Sequence, residues 1–135
     1  MKYFIDTSFW CALYDASDYH HREAETIWKA LANKPIILFT SDYVFDETTT
    51  LIGRRIDRQS AIDFGETILQ SKVLSMLHVH DSCFSNSWLL FKEYGDKDFS
   101  FTDCTSFVLM HANGIEQALA YDHHFSQMGF SVNQI

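Results

Sequence analysis

Proline occurs once in this sequence, at Pro35, glycine five times and cysteine three times. The five glycines build neither a phosphate-cradling loop nor a Gly-x-Ser-x-Gly elbow, which removes nucleotide-loop and serine-hydrolase chemistry. Cys11, Cys83 and Cys104 are odd in number and lack Cys-x-x-Cys spacing. A disulfide framework and a zinc ribbon are therefore not expected, and reduced thiols in a cytoplasmic setting are. No apolar run approaches the roughly 18 residues that cross a bilayer, so no membrane is expected as a partner. Asp6 comes too early for a signal peptide. Basic residues are scarce as well, 10 Lys and Arg against 18 Asp and Glu, for a net charge of −8. Such a chain cannot draw nucleic acid by overall attraction. Any phosphate chemistry would need a local basic patch, a metal ion at the phosphate, or both.

What is present is apolar and ordered: 47% hydrophobic and 16% aromatic residues in a chain of 135. That length fits a single domain, 1–135, with a real core. There are no repeats, low-complexity tracts or linkers. Lys2 to Ile5 reads as a buried strand. Thr7 or Ser8 can cap the helix after it. Asp18 can cap a helix carrying Ala24, Ile27, Trp28 and Leu31 at helical spacing, ended by Asn33-Lys34-Pro35. Ile36 to Thr40 is a second buried strand. Ser41 or Asp42 starts a helix running to about Ile56. Asp57 caps the next, with Ala61, Phe64, Gly65 and Ile68 on one face. Val73 to Val79 reads as a strand. Asp81 or Ser82 opens a helix with Phe84, Trp88 and Phe91 aligned, closed by Gly95. Thr102 to Asn113 is a helix closed by Gly114. Ile115 to Tyr121 is a strand, and Phe130 to Val132 a short last one. Strands alternating with helices predict an α/β fold, a three-layer α/β/α sandwich around a central, mainly parallel sheet.

Four carboxylates stand where such a fold can turn them to one place. Asp6 closes Tyr3-Phe4-Ile5 and Asp122 closes Ala118-Leu119-Ala120-Tyr121, and ligands of open parallel sheets gather beyond the carboxyl ends of the strands. Glu47 shares a helical side with Val44 and Leu51, whereas Asp46 falls with Asp42, Thr49, Thr50 and Gly53 on the polar side. An inward carboxylate is costly unless paired or metal-bound; a salt bridge would also account for it. Asp103 shares a face with Phe107 and Met110 in a first helical turn, where the dipole alone favours an anion. An Asp at a strand end often only starts a turn or caps a helix. Taken together, converging acids call for a cation, and hard oxygen ligands suit Mg²⁺ or Mn²⁺. The chemistry implied is metal-assisted phosphodiester cleavage.

Other features carry less. Seven histidines include His20-His21, His78/His80 and His123-His124, but adjacent histidines do not face one point, and zinc is not expected. Cys104 has no basic neighbour to activate it. Arg54, Arg55 and Arg58 form the one compact basic cluster. It reads either as a helix C-terminus complementing its dipole or as a contact for phosphate or an acidic partner.

The segment Phe4-Ile5-Asp6-Thr7-Ser8 resembles the first acidic motif of the PIN-domain family, metal-dependent nucleases that include VapC-type toxins of toxin–antitoxin pairs. Phe45-Asp46-Glu47-Thr48-Thr49-Thr50-Leu51 resembles the family's helical glutamate motif. Phe101-Thr102-Asp103-Cys104-Thr105-Ser106-Phe107 is similar to its third, and Tyr121-Asp122-His123-His124-Phe125, followed by Gly129-Phe130, to its fourth. One departure is Ala120, where the family usually carries Thr. The resemblance implies that Asp6, Glu47, Asp103 and Asp122 are the catalytic, metal-holding quartet for Mg²⁺ or Mn²⁺. It also implies that Ser8, Thr102 and Ser106 are accessory hydroxyls. It implies a divalent-metal-dependent endoribonuclease, a toxin with an RNA substrate and a small antitoxin partner. Some of Phe9, Trp10, Trp28 and Phe45 would then line a groove for that partner. A homodimer is left open. The alternatives are a degenerate PIN module that binds RNA or protein without cutting, and a metal-dependent phosphatase. Against the second stands Ser8, where a further Asp would be wanted.

Overall fold

The computed structural model describes all residues from Met1 to Ile135. The chain runs β1 (Lys2–Ile5), α1 (Thr7–Tyr14), α2 (His21–Leu31), β2 (Ile37–Ser41), α3 (Asp42–Arg55), α4 (Arg58–Gln70), β3 (Leu74–Leu77), α5 (Asp81–Glu93), α6 (Phe101–Ala112), β4 (Gln117–Leu119), α7 (His124–Gln127) and β5 (Ser131–Val132). The five strands form one sheet in the order β3-β2-β1-β4-β5. Every pairing is parallel. This is the expected three-layer α/β/α architecture.

Strand β1 is central because it is apolar on both faces. Tyr3, Phe4 and Ile5 are all buried. The chain moves outward from β1 through β2 to β3, then returns to place β4 on the other side of β1. The order therefore reverses between β1 and β4. A crevice opens at such a switch point beyond the strand ends, because the connections leave in opposite directions. Asp6 directly follows β1, and its N–H continues the ladder to Leu119 O at 3.0 Å.

Aromatic packing fixes the helices around this point. Trp10 meets Trp28 and Phe64 edge-on at 5.6 Å between ring centres in each case. Phe107 meets Phe99 and Phe125 edge-on, each at 5.1 Å. Phe9 and Trp10 are core residues, whereas Trp28 and Phe45 are half-buried. Helix ends differ from expectation in three places. Asp6 itself caps α1, accepting from Ser8 N, in place of Thr7 or Ser8. His20, not Asp18, precedes α2, and Asp18 instead accepts from His20 N at 2.8 Å. Helix α5 ends at Glu93 with Tyr94 as its C-cap, and only Gly114 and Gly129 among the glycines take positive φ, so Gly95 makes no left-handed cap.

Candidate active site

Asp6, Glu47, Asp103 and Asp122 all line one cleft of about 260 Å³ at the switch point, together with Thr7, Ser8, Ser100, Arg55 and His124. Each acid arrives by a different route. Asp6 is the buried N-cap of α1. Its Oδ2 accepts from both Ser8 N at 3.1 Å and Ser8 Oγ at 2.6 Å. Ser8 Oγ in turn accepts from Tyr121 N at 2.8 Å, which ties the end of β1 to the segment after β4. Asp103 stands in the first turn of α6 within a capping box. Its N–H donates to Ser100 Oγ at 2.9 Å, and its Oδ2 accepts from Ser100 N at 3.0 Å. Asp122 Oδ1 accepts from His124 N at 3.0 Å, holding the turn into α7.

Glu47 is half-buried beside the core stripe Val44, Thr48 and Ile52 of α3, while Asp46 is exposed. The helical-face reading of these neighbouring acids holds.

The electrostatics are those of crowded, dehydrated carboxylates. Burial pushes Asp6 well above the usual carboxylate range, and Asp122 and Asp103 add to it against the Ser8 hydrogen bonds. Burial also raises Glu47, with Asp103 and Asp122 contributing. Asp103 is raised by burial and Asp122, opposed by Ser100 N–H and by His124. Asp6 Oδ1 is buried without any hydrogen-bond partner. An orphaned carboxylate oxygen among like charges fits a divalent cation, because an oxygen-rich donor set suits Mg²⁺ or Mn²⁺.

The structure also places a residue that periodicity did not single out. His124 Nδ1 lies 2.7 Å from Asp103 Oδ2 and 3.8 Å from Asp122 Oδ2. Asp103, Asp122 and His124 present ligand atoms all within 4.8 Å of one another. Two adjacent histidines do not converge, as expected, but one of them does. Its available signal was the Asp122-x-His124 spacing across a turn.

Of the accessory hydroxyls, Ser8 touches a site carboxylate. Ser106 Oγ donates back to Thr102 O at 3.1 Å within α6, and neither Thr102 nor Ser106 lines the cleft. The arginines separate. Arg55 lines the acidic cleft, held by Asp18 at 3.2 Å and Asp15 at 4.0 Å. Arg54 and Arg58 line a different groove between α3 and α4, with Phe45 and Ile62. The dipole account suits Arg54 and Arg55 in the last turn of α3 but not Arg58, which opens α4. Cys104 is fully buried, and burial with Asp103 nearby pushes its thiol up to about 11.

A family model for the PIN domain matches residues 3–131. The chain is 38% identical over 127 residues to the 23S rRNA-specific endonuclease VapC20 of Mycobacterium tuberculosis, covering 94% of each protein. It is 30% identical over 128 residues to a VapC ribonuclease of Archaeoglobus fulgidus, covering 93% of this chain and 80% of that one. The crystal structure of Mycobacterium tuberculosis VapC20, described as a sarcin-ricin loop cleaving toxin, matches with a TM-score of 0.88 at 37% identity over 95% of both chains. A chain from the VapBC2 structure of Rickettsia felis shares the fold, with a TM-score of 0.71 at 12% identity. The acid-lined switch point, the all-parallel sheet and a family match across nearly the whole sequence agree: this chain belongs to the PIN domain family.

Proposed function

We propose that this protein is a divalent-metal-dependent endoribonuclease, the toxin of a toxin–antitoxin pair, and that structured ribosomal RNA is its substrate. The observation that carries the reading is the convergence of Asp6, Glu47, Asp103 and Asp122 on one cleft. The 38% identity to a 23S rRNA-specific endonuclease supports RNA over DNA. A ribosomal RNA substrate would be met in the cytoplasm.

Asp6, Asp103 and Asp122, with Glu47 at the cleft wall, would hold Mg²⁺ or Mn²⁺. A divalent ion there supplies Lewis-acid chemistry, lowering the pKa of water and offsetting charge on the phosphate. The protein's own contribution is orientation. Ser8 fixes one oxygen of Asp6 and Ser100 fixes one of Asp103, so the carboxylates are preorganised and need no rearrangement when substrate arrives. No side-chain nucleophile is implied, since the buried thiols of Cys11 and Cys104 are both pushed up to about 11.

The test is purified protein incubated with a ribosomal stem-loop RNA, with Mn²⁺, with Mg²⁺ and with chelator, beside Asp103→Asn. Cleavage that needs the metal and Asp103 is expected. RNA binding without cleavage would move the assignment to a non-catalytic module. Hydrolysis of small phosphomonoesters with RNA intact would move it to a phosphatase. For the antitoxin, co-expression with a cognate antitoxin that covers the acidic cleft should abolish cleavage.

A further inference from the structure

Outside the four acids, the group at the cleft with the least ordinary surroundings is His124. Its place is fixed from three sides. Its backbone N–H donates to Asp122 Oδ1. Its ring stands edge-on to the buried Phe99, at 5.5 Å and 78°. The side chain is three-quarters buried beside Asp103. Nδ1 is inaccessible to solvent and has no hydrogen-bond partner. It lies 2.7 Å from Asp103 Oδ2, within ion-pair distance.

Two electron-rich atoms at this separation repel unless something positive lies between or beside them. A proton on Nδ1 would do it, making His124 an ion-pair partner of Asp103. The alternative is a shared cation. Ligands at right angles on an ion with bonds of about 2.1 Å sit about 3 Å apart, and opposite ligands about 4.2 Å apart. The 3.8 Å from Nδ1 to Asp122 Oδ2 falls within that range, and the 2.7 Å to Asp103 Oδ2 lies a few tenths of an ångström below it, so the ring would shift slightly on binding.

We propose that His124 is a nitrogen ligand of the cation, through Nδ1, so that the centre is a mixed oxygen–nitrogen site and favours Mn²⁺ over Mg²⁺. This rests on the reading of the cleft as a metal site. Imidazole is a poor partner for Mg²⁺, which prefers oxygen, and a better one for the transition metals. The Nδ1 lone pair is available when the ring proton sits on Nε2. Phe99 holds the ring plane, so binding requires little loss of side-chain freedom.

The experiment is pulsed electron paramagnetic resonance of the Mn²⁺-loaded protein, which reports nitrogen bound directly to the ion, combined with calorimetric titration of Mn²⁺ and Mg²⁺. The wild type should show a directly coordinated ¹⁴N, His124→Gln should lose it, and His123→Gln should keep it. In His124→Gln, Mn²⁺ affinity should fall at least about tenfold, by analogy with losses at metal-orienting positions, while Mg²⁺ affinity changes less. If Mn²⁺ binds in an Asp103-dependent way but no nitrogen coupling is seen, the metal site stands and His124 is only an ion-pair partner, which overturns the proposal. If neither ion binds the wild type at all, the metal-site reading falls and this proposal with it.

Discussion

Asp6 joins two roles that a single substitution can separate. It caps α1 through Oδ2 and carries charge into a buried cleft through the orphaned Oδ1. Asn is as good an N-cap as Asp. Asp6→Asn therefore keeps the cap and removes the charge, and Asp103→Asn removes the charge in the same way at α6. The folded-state pKa of both acids is raised, mainly by burial. Between the unfolded and the raised folded pKa the native state binds more protons than the unfolded state, so stability falls as pH rises through that window. The destabilisation is complete above the folded pKa and relieved below the unfolded one. In chelator, the gain in Tm of either variant over wild type should accordingly be larger at pH 8 than at pH 4.5, readable by scanning calorimetry. A gain independent of pH would mean the carboxylates are not strained by charge. Added Mn²⁺ should raise the wild-type Tm by mass action and leave Asp103→Asn nearly unmoved. On α3, Glu47→Gln should lower cleavage by at least about 100-fold, the scale of a lost preorganised charge. Asp46→Asn, altering an exposed neighbour, should keep most activity. Equal losses in the two variants would place the site elsewhere.

At the level of elements, the sequence was legible where period and burial agree. The buried run Tyr3 to Ile5 of β1 and the amphipathic α2, α3 and α4 were readable from pattern alone. Ends were less so, because side chains take over backbone groups there. The buried run beyond β4 continues to Ala120, but Asn133 ends the ladder, donating to Ala120 O at 2.8 Å and accepting from Ala120 N at 3.0 Å. Asp42 likewise accepts from Val79 N at 3.1 Å, so the segment read as Val73 to Val79 pairs only over Leu74–Leu77. Helix α7 has four residues, too few for any period to show, and His124 stands in it. The quartet was visible because Asp6 and Asp122 close apolar runs, Glu47 shares a helical side with Val44 and Leu51, and Asp103 stands in a first helical turn. Its nitrogen neighbour was not, because a turn and not a repeat sets its direction. Glycine gives a sharp test of the helix ends. Gly114 closes α6 at φ +63°, with nothing within 4 Å of an added Cβ. Gly114→Ala should then cost backbone strain alone, roughly 1 kcal/mol, or a Tm lower by about 3–6 °C at this chain length. Gly95 has no positive φ, and a Cβ there would meet only Lys92 O at 3.9 Å. Gly95→Ala should match the parent within about 0.5 kcal/mol or slightly exceed it. Equal losses at both would show that Gly95 also ends a helix in the left-handed region.

For the whole molecule the question that the proposed function raises is how a chain of net charge −8 would hold RNA. Overall attraction is absent, so affinity must come from the cleft: the cation and the few basic groups that reach it. Arg55 is the one arginine or lysine lining the cleft, and Asp15 and Asp18 hold it in place while offsetting part of its charge. Arg54 and Arg58 face the α3–α4 groove, where a phosphate bound at the acids would not meet them. Each phosphate contact on a single strand contributes about −0.7 to the slope of log affinity against log salt. With one or two contacts the slope should be about −0.7 to −1.4, shallow for a nucleic-acid-binding protein. The measurement is the apparent KM for a stem-loop RNA over a KCl series at fixed Mn²⁺. Arg55→Ala should raise KM and flatten the slope by about 0.7, while Arg54→Ala and Arg58→Ala leave both near the parent values. A steep parental slope, or a loss at Arg58 equal to that at Arg55, would mean that RNA crosses the α3–α4 groove. The acidic surface would then be bypassed by a longer basic track, and the cleft would not be the main source of affinity.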